Sequence, residues 1–245
     1  MSDDPYRHHP NLRGKIADPL QSFHRDLSIA KLEHLGREHG LEGGWWYGDE
    51  EREALRARAL DGRMGRDVWV FGYGSLMWDP AIKYAEVRRA RIEGFTRRFI
   101  LIEDFGGRGT KDDPALFASL DAGDGSEGLA FRVAGDIMDE ETRILWQREQ
   151  IAPGYHARFM PAETAQGTID ALAFVADHGA EKCAPDLARA TQVDWIARAS
   201  GIMGSNVSYL RNIVDKLAEL ELDDPDMVAL LADVEARIVA LGLEH

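Results

Sequence analysis

Cysteine is almost missing: one residue, Cys183, in a chain of 245. That excludes an internal disulfide and any metal site built on clustered thiolates. Cys183 lies in Glu181-Lys182-Cys183-Ala184-Pro185, a polar stretch that reads as a loop and shows no sign of an activated nucleophile. Positive charge is also short, with 29 Lys and Arg against 43 Asp and Glu and a formal net charge of -14. Phosphate backbones are bound by basic faces, so no nucleic-acid partner is expected. No apolar run approaches the roughly 20 residues that cross a bilayer, so no membrane partner is expected. The polar, proline-broken stretch from Met1 to Pro19 has no signal-peptide core, which makes the expected address cytoplasmic. The phosphate loop GxxxxGK[ST], the zinc motif HExxH and the nucleophile elbow GxSxG are all absent. Residues 121–128 have the composition of a calcium loop, but Gly123 and Gly125 stand where acidic ligands are required. His34 and His39, five residues apart, fall on different faces of a helix. No metal and no cofactor are expected.

What remains is an ordinary globular composition, 44% hydrophobic and 29% charged. A chain of this length can bury one substantial core. Residues 1–66 read as a charged, helical N-terminal extension, with helices over 28–39 and 49–60. Between them lies Gly43-Gly44-Trp45-Trp46-Tyr47-Gly48, a glycine-bracketed aromatic cluster that suits a docking surface or, more sharply, a lid over a substrate. Residues 67–241 form the main domain, strand-rich over 67–177 and helical over 185–241. Val68-Trp69-Val70-Phe71, closed by Gly72, reads as a buried strand. Strands over 85–92 and 95–102 flank Glu93-Gly94, and strands over 116–120 and 129–133 flank residues 121–126; both patterns predict hairpins. A third strand pair spans 155–160 and 168–175. A helix is expected over 139–150, with Asp139, Glu140 and Glu141 favourable at its N-terminus. Helices follow over 186–200, 205–220 and 224–241. Strands with one inserted helix, then a run of helices, indicate the α+β class. Leu243-Glu244-His245 resembles the stub of an expression tag and is given no functional weight. Nothing in the sequence specifies an oligomeric state.

Two segments carry chemistry. Phe71-Gly72-Tyr73-Gly74-Ser75-Leu76-Met77-Trp78 is a strand that runs into a glycine-flanked polar loop. Its amides can form a concavity for a carboxylate or oxyanion; the plainer alternative is a turn capped by Ser75. On the following helix, Met138, Thr142, Leu145, Glu149 and Ala152 recur at intervals of three and four. Glu149 therefore falls on the apolar stripe, where desolvation makes a carboxylate a better base. The alternative is a helix-end glutamate, half exposed beside Arg148.

The run from Val70 to Trp78 resembles the opening signature of the ChaC family of γ-glutamylcyclotransferases. Four later segments match it in order: Gly94-Phe95-Thr96-Arg97-Arg98-Phe99, Arg108-Gly109-Thr110, Arg148-Glu149 ahead of Gly154-Tyr155, and Gly204-Ser205-Asn206 leading to Tyr209-Leu210. The resemblance covers about residues 67–220. It implies a γ-glutamylcyclotransferase-like mixed β-barrel or sheet with surrounding helices, acting on glutathione without metal or cofactor and releasing 5-oxoproline and Cys-Gly. It carries substrate binding to Val70, Phe71, Gly72, Tyr73, Gly74 and Ser75, and the proton acceptor to Glu149. Arg108 is a further binding expectation, as an arginine between glycines that can meet a substrate carboxylate, and so is Tyr155, beside the catalytic helix. Arg97 and Arg98 are also possible sources of local positive charge. Leu145-Trp146-Gln147-Arg148-Glu149 departs from the family's frequent Leu-Asp-x-Arg-Glu, and Ile202-Met203-Gly204-Ser205 departs from its Ser-Gly step. Both leave substrate preference open between glutathione and other γ-glutamyl peptides or amines, and an idle binding module remains the rival class.

Overall fold

The computed structural model describes residues 4–40 and 43–243. The last two residues of the possible tag stub lie outside that range. Seven strands form one mixed sheet: β1 (Val68–Gly72), β2 (Glu86–Ile92), β3 (Phe95–Glu103), β4 (Ala115–Ala122), β5 (Ser126–Val133), β6 (Tyr155–Ala162) and β7 (Ile169–Ala176). Their order is β2-β5-β1-β7-β4-β3, with β6 added against β7. β1 and β4 run parallel to β7, and the remaining pairings are antiparallel. The α+β class is the observed one.

Both tight hairpins expected from the sequence are absent. β2 pairs with β5, and β3 with β4. The Glu93-Gly94 step, with Gly94 at φ +77, instead joins strands at opposite ends of the order. A two-residue connection reaches at most about 10 Å, so the sheet must curl until its two ends approach one another. The chain turns a barrel corner there rather than folding back. Residues 121–126 likewise connect β4 and β5, which do not pair with each other. The third expected pair, β6 with β7, is antiparallel over its whole length.

The described residues also form six α-helices: α1 (Ile29–His39), α2 (Asp49–Ala59), α3 (Met138–Glu149), α4 (Arg189–Arg198), α5 (Asn206–Glu219) and α6 (Pro225–Leu241). α4 is shorter than expected, because Ser200–Gly201 and Gly204–Ser205 form a small two-stranded turn, β8 and β9. α5 and α6 start on side-chain caps, Ser205 accepting from Ser208 N and Asp224 from Met227 N. Gly242 closes α6 in the left-handed conformation. Val207, Leu210 and Ile213 of α5 join Met227, Leu230 and Val234 of α6 in a core against Phe99, Leu116 and Phe131. On the other side Met138, Leu145 and Trp146 of α3 pack against Val70, Leu172 and Phe174. That packing fixes the C-terminal end of α3 beside the C-terminal end of β1.

The extension is keyed to α3 by charge. Glu141, fully buried, accepts two 2.8 Å bonds from Arg25 and a third from Lys83 N. Arg56 of α2 meets Asp139 at 2.9 Å and Thr142 Oγ1 at 2.8 Å. The first-turn acids of α3, read as partners of the helix dipole, thus also serve as sockets for arginines of residues 1–66.

Candidate active site

β1 ends at a fork in the sheet. It pairs with β7 at Val70–Leu172, and β4 pairs with the same β7 at Leu120–Val175. Where the two diverge, backbone carbonyls must find side-chain donors. The Tyr73 hydroxyl donates to Phe174 O at 2.8 Å, and the Tyr155 hydroxyl to Ala118 O at 2.9 Å. Tyr209 on α5 closes the same space, packed on Phe117 and Phe99 with ring centroids 5.2 and 5.6 Å away. Burial pushes all three hydroxyls up, Tyr209 to about 12. They are neutral donors at physiological pH.

Gly72 makes the next bend possible: a Cβ there would sit 2.9 Å from Leu76 Cβ and 3.2 Å from its carbonyl carbon. The chain then enters a short 3-10 turn, Ser75–Met77, without a side-chain cap, so Ser75 does not cap it. The Gly74 and Ser75 N–H groups have no acceptor among the described residues. Arg97, fully buried, holds this loop from behind. Its Nε donates to Tyr73 O at 2.5 Å, Nη2 to Glu127 O at 2.9 Å, and Nη1 pairs with Asp224. Arg98 is engaged by Asp121 and Pro185 O. Neither arginine is a pocket cation; both brace the frame.

Glu149 ends α3 with 16% of its side chain exposed. Burial raises its carboxyl above the ordinary range, while the charge and hydrogen bond of Arg148 pull the other way. Glu149 Oε1 accepts from Arg148 Nε at 2.8 Å. The same guanidinium donates through Nη2 to Ser75 Oγ at 2.6 Å and through Nη1 to Asp79 O. Arg148, itself 3% exposed, therefore ties the carboxylate to the glycine loop. Glu149 thus stands between the two placements the sequence left open, the apolar stripe and the half-exposed helix end: the carboxylate is largely enclosed, paired and still reachable. His24 of the extension lies beside this arginine, and burial together with the Arg148 charge lowers its imidazole to about 4.

Arg108 is presented by a loop built around a buried carboxylate. Glu103 accepts from the N–H groups of Phe105, Gly107, Arg108 and Gly109 at 2.5 to 3.1 Å. Gly109 must be glycine, since a Cβ would lie 2.2 Å from Ala115 N. Arg108 Nη1 donates to Ser205 O and Ser208 Oγ at 3.1 and 3.3 Å, with its Cζ 5.4 Å over the Tyr209 ring. Among the described residues, no partner takes its Nη2.

Tyr73, Tyr155, Tyr209 and Glu149 are close enough to influence one another's charge, Arg148 ties Glu149 to Ser75 and Arg108 lies over the Tyr209 ring, so these side chains form one cluster, with Gly72 and Gly74 on the loop beside it. Val70 and Phe71 are fully buried and support it from the core. Glu103 was not singled out from the sequence, and Arg148 and Tyr209 stood there only in the segments that carry the resemblance, without a role at the site. The usable signals were an acid followed closely by Gly-Arg-Gly, an arginine adjoining Glu149, and a tyrosine one helical turn into α5. Cys183 is half-buried, bridges to Leu101, and its thiol is pushed up by burial. Among the described residues, no three His, Cys, Asp or Glu side chains are grouped as a metal ion requires, and no helix is long and apolar enough to cross a membrane.

Residues 68–237 match the model of the ChaC-like protein family. The chain is 32% identical over 197 residues to the glutathione-specific γ-glutamylcyclotransferase of Escherichia coli K12, covering 80% of this chain and 85% of that one. It is 31% identical over 178 residues to glutathione-specific γ-glutamylcyclotransferase 1 of Danio rerio, covering 70% and 90%. The fold matches the crystal structure of a glutathione-specific γ-glutamylcyclotransferase from yeast with a TM-score of 0.62, at 21% identity and over 70% of this chain and 99% of that one.

Proposed function

The chain belongs to the ChaC-like protein family, and from that premise we propose that it is a glutathione-specific γ-glutamylcyclotransferase with Glu149 as its proton-transfer group. The observation that carries the assignment of Glu149 is its placement: a desolvated carboxylate joined through Arg148 to the hydroxyl of Ser75.

The substrate supplies its own nucleophile. Its α-amine attacks the γ-amide carbon, the new C–N bond closes a five-membered ring, and the old C–N bond breaks to release Cys-Gly. Holding both ends of one molecule in a ring-closing conformation supplies much of the acceleration. Glu149 takes a proton from the α-ammonium and returns one to the departing nitrogen. The raised carboxyl pKa brings the donor and acceptor forms closer in energy. The unpaired Gly74 and Ser75 amides suit the oxygen that gains charge as the carbonyl carbon becomes tetrahedral. The Tyr73 and Tyr155 hydroxyls are already donating to backbone carbonyls, so they present lone pairs and an uncharged wall. Arg108 balances a substrate carboxylate within a body of net charge -14. We place the reaction in the cytoplasm, where glutathione is kept reduced, and assign it no metal ion.

Purified protein incubated with glutathione should release equimolar 5-oxoproline and Cys-Gly, equally well after exhaustive chelation. A panel of γ-glutamyl peptides and amines should be turned over less efficiently. No 5-oxoproline from any of them would refute the assignment.

A further inference from the structure

The aromatic segment of the extension lies against both loops that hold the site. Tyr47 N donates to Ile151 O at 2.8 Å, two residues beyond Glu149. Trp45 stacks flat on Phe105, with centroids 4.4 Å apart and planes within 5°, three residues before Arg108. These anchors are two residues apart in sequence, a reach of at most about 7 Å. Residues 45–47 therefore strap the segment after α3 to the loop carrying Arg108.

We propose that Trp45 and Phe105 form the subsite for the part of the substrate beyond the scissile amide, so that residues of the extension set the preference for a cysteinyl leaving group. This rests on the cyclotransferase reading above. In that reading the γ-glutamyl end lies between Glu149 and the Gly72–Ser75 loop, and the strap, anchored two residues beyond Glu149 and three before Arg108, borders the space left for the rest of the substrate. The chemistry there fits a thiol-bearing residue, since sulfur makes favourable contacts with aromatic rings. Trp45 is only half-buried, and its neighbours Gly43 and Gly44 are exposed, so this indole does not fill a core. Its place is built rather than incidental. Phe105 is held by its N–H bond to Glu103 at 2.8 Å and by Lys182 Nζ 5.4 Å over the ring. Arg25 on Glu141 and Arg56 on Asp139 key the flanking parts of the extension to α3.

The full-length protein and its Trp45→Ala and Trp45→Phe variants test this. Each is measured by 5-oxoproline release from glutathione and from γ-glutamylmethylamide, which has the scissile bond but no side chain beyond it, and by calorimetric binding of glutathione. Trp45→Ala should raise KM for glutathione about two- to tenfold, the equivalent of one lost aromatic contact, with kcat within about twofold. It should leave kcat/KM for γ-glutamylmethylamide unchanged, and Trp45→Phe should restore most of the loss. If Trp45→Ala does not fold, Phe105→Leu removes the stack from the other side and should show the same selective loss. Equal effects on both substrates, or none, would overturn the subsite. Wild-type protein that binds glutathione but releases no 5-oxoproline would refute the cyclotransferase reading alone. The subsite would then stand or fall on whether Trp45→Ala weakens that binding. Wild-type protein that neither binds nor reacts overturns both.

Discussion

Replacing Arg148 by glutamine removes the positive charge beside Glu149 while leaving a side chain able to reach Ser75. Two opposing influences set the Glu149 carboxyl: burial raises it, and Arg148 lowers it. With the arginine gone, only the first remains. Opposite unit charges about 4 Å apart, at an effective dielectric of about 20, attract by about 4 kcal/mol, which is about three pH units. Glu149 keeps 16% of its side-chain surface, and water there screens the pair, so the carboxyl is expected to rise further, by less than that unscreened figure. Because the carboxylate form takes the proton, the acid limb of the kcat–pH profile should move to higher pH. Turnover at pH 6 should fall about tenfold or more and recover as the pH is raised. Arg148→Lys, which keeps the charge but not the fork, should hold the limb near its wild-type position at lower kcat. The assay is 5-oxoproline release at saturating glutathione from pH 5 to 9, with thermal melts to establish folding. An acid limb that stays put in a folded Arg148→Gln protein would refute the electrostatic role of this arginine.

Arg108→Ala should raise KM for glutathione more than it lowers kcat, since it removes binding rather than chemistry; an unchanged KM in initial-rate assays rejects the contact. Arg25→Ala leaves the buried Glu141 without its bidentate partner and should cost roughly 3 kcal/mol, seen as a Tm lower by about 6–12 °C. A melt within about 2 °C of wild type would show that the Arg25–Glu141 latch contributes little.

The local readings that succeeded were those in which one residue's chemistry decides the outcome. The interval pattern of Met138, Thr142 and Leu145 identified the buried face of α3, and with it the position of Glu149. The expected range 224–241 matches α6 to within a residue, because its ends are set by local caps, Asp224 and Gly242. Strand partners were another matter. Alternation identifies a strand but not its neighbour, so Glu93-Gly94 was indistinguishable from a hairpin turn although it rounds a barrel corner. The same limit hid the arginines. Arg97 and Arg98 follow one another in sequence, but pleating sends one inward to clamp Tyr73 O and the other outward to Asp121. Arg148 stood only as the neighbour of Glu149, because its acceptors, Ser75 and the Asp79 carbonyl, lie about 70 residues upstream in sequence. Likewise, nothing local in Trp45 or Arg25 announces Phe105 or Glu141.

Glu149→Gln puts the whole account to its most direct test, since it keeps the size and hydrogen-bonding shape of the side chain and removes only its capacity to carry a proton. The folded variant should bind glutathione with near wild-type affinity by calorimetry and release 5-oxoproline about 10²-fold more slowly or worse. Turnover close to that of the unmodified enzyme would contradict the claim that this carboxylate drives the cyclisation.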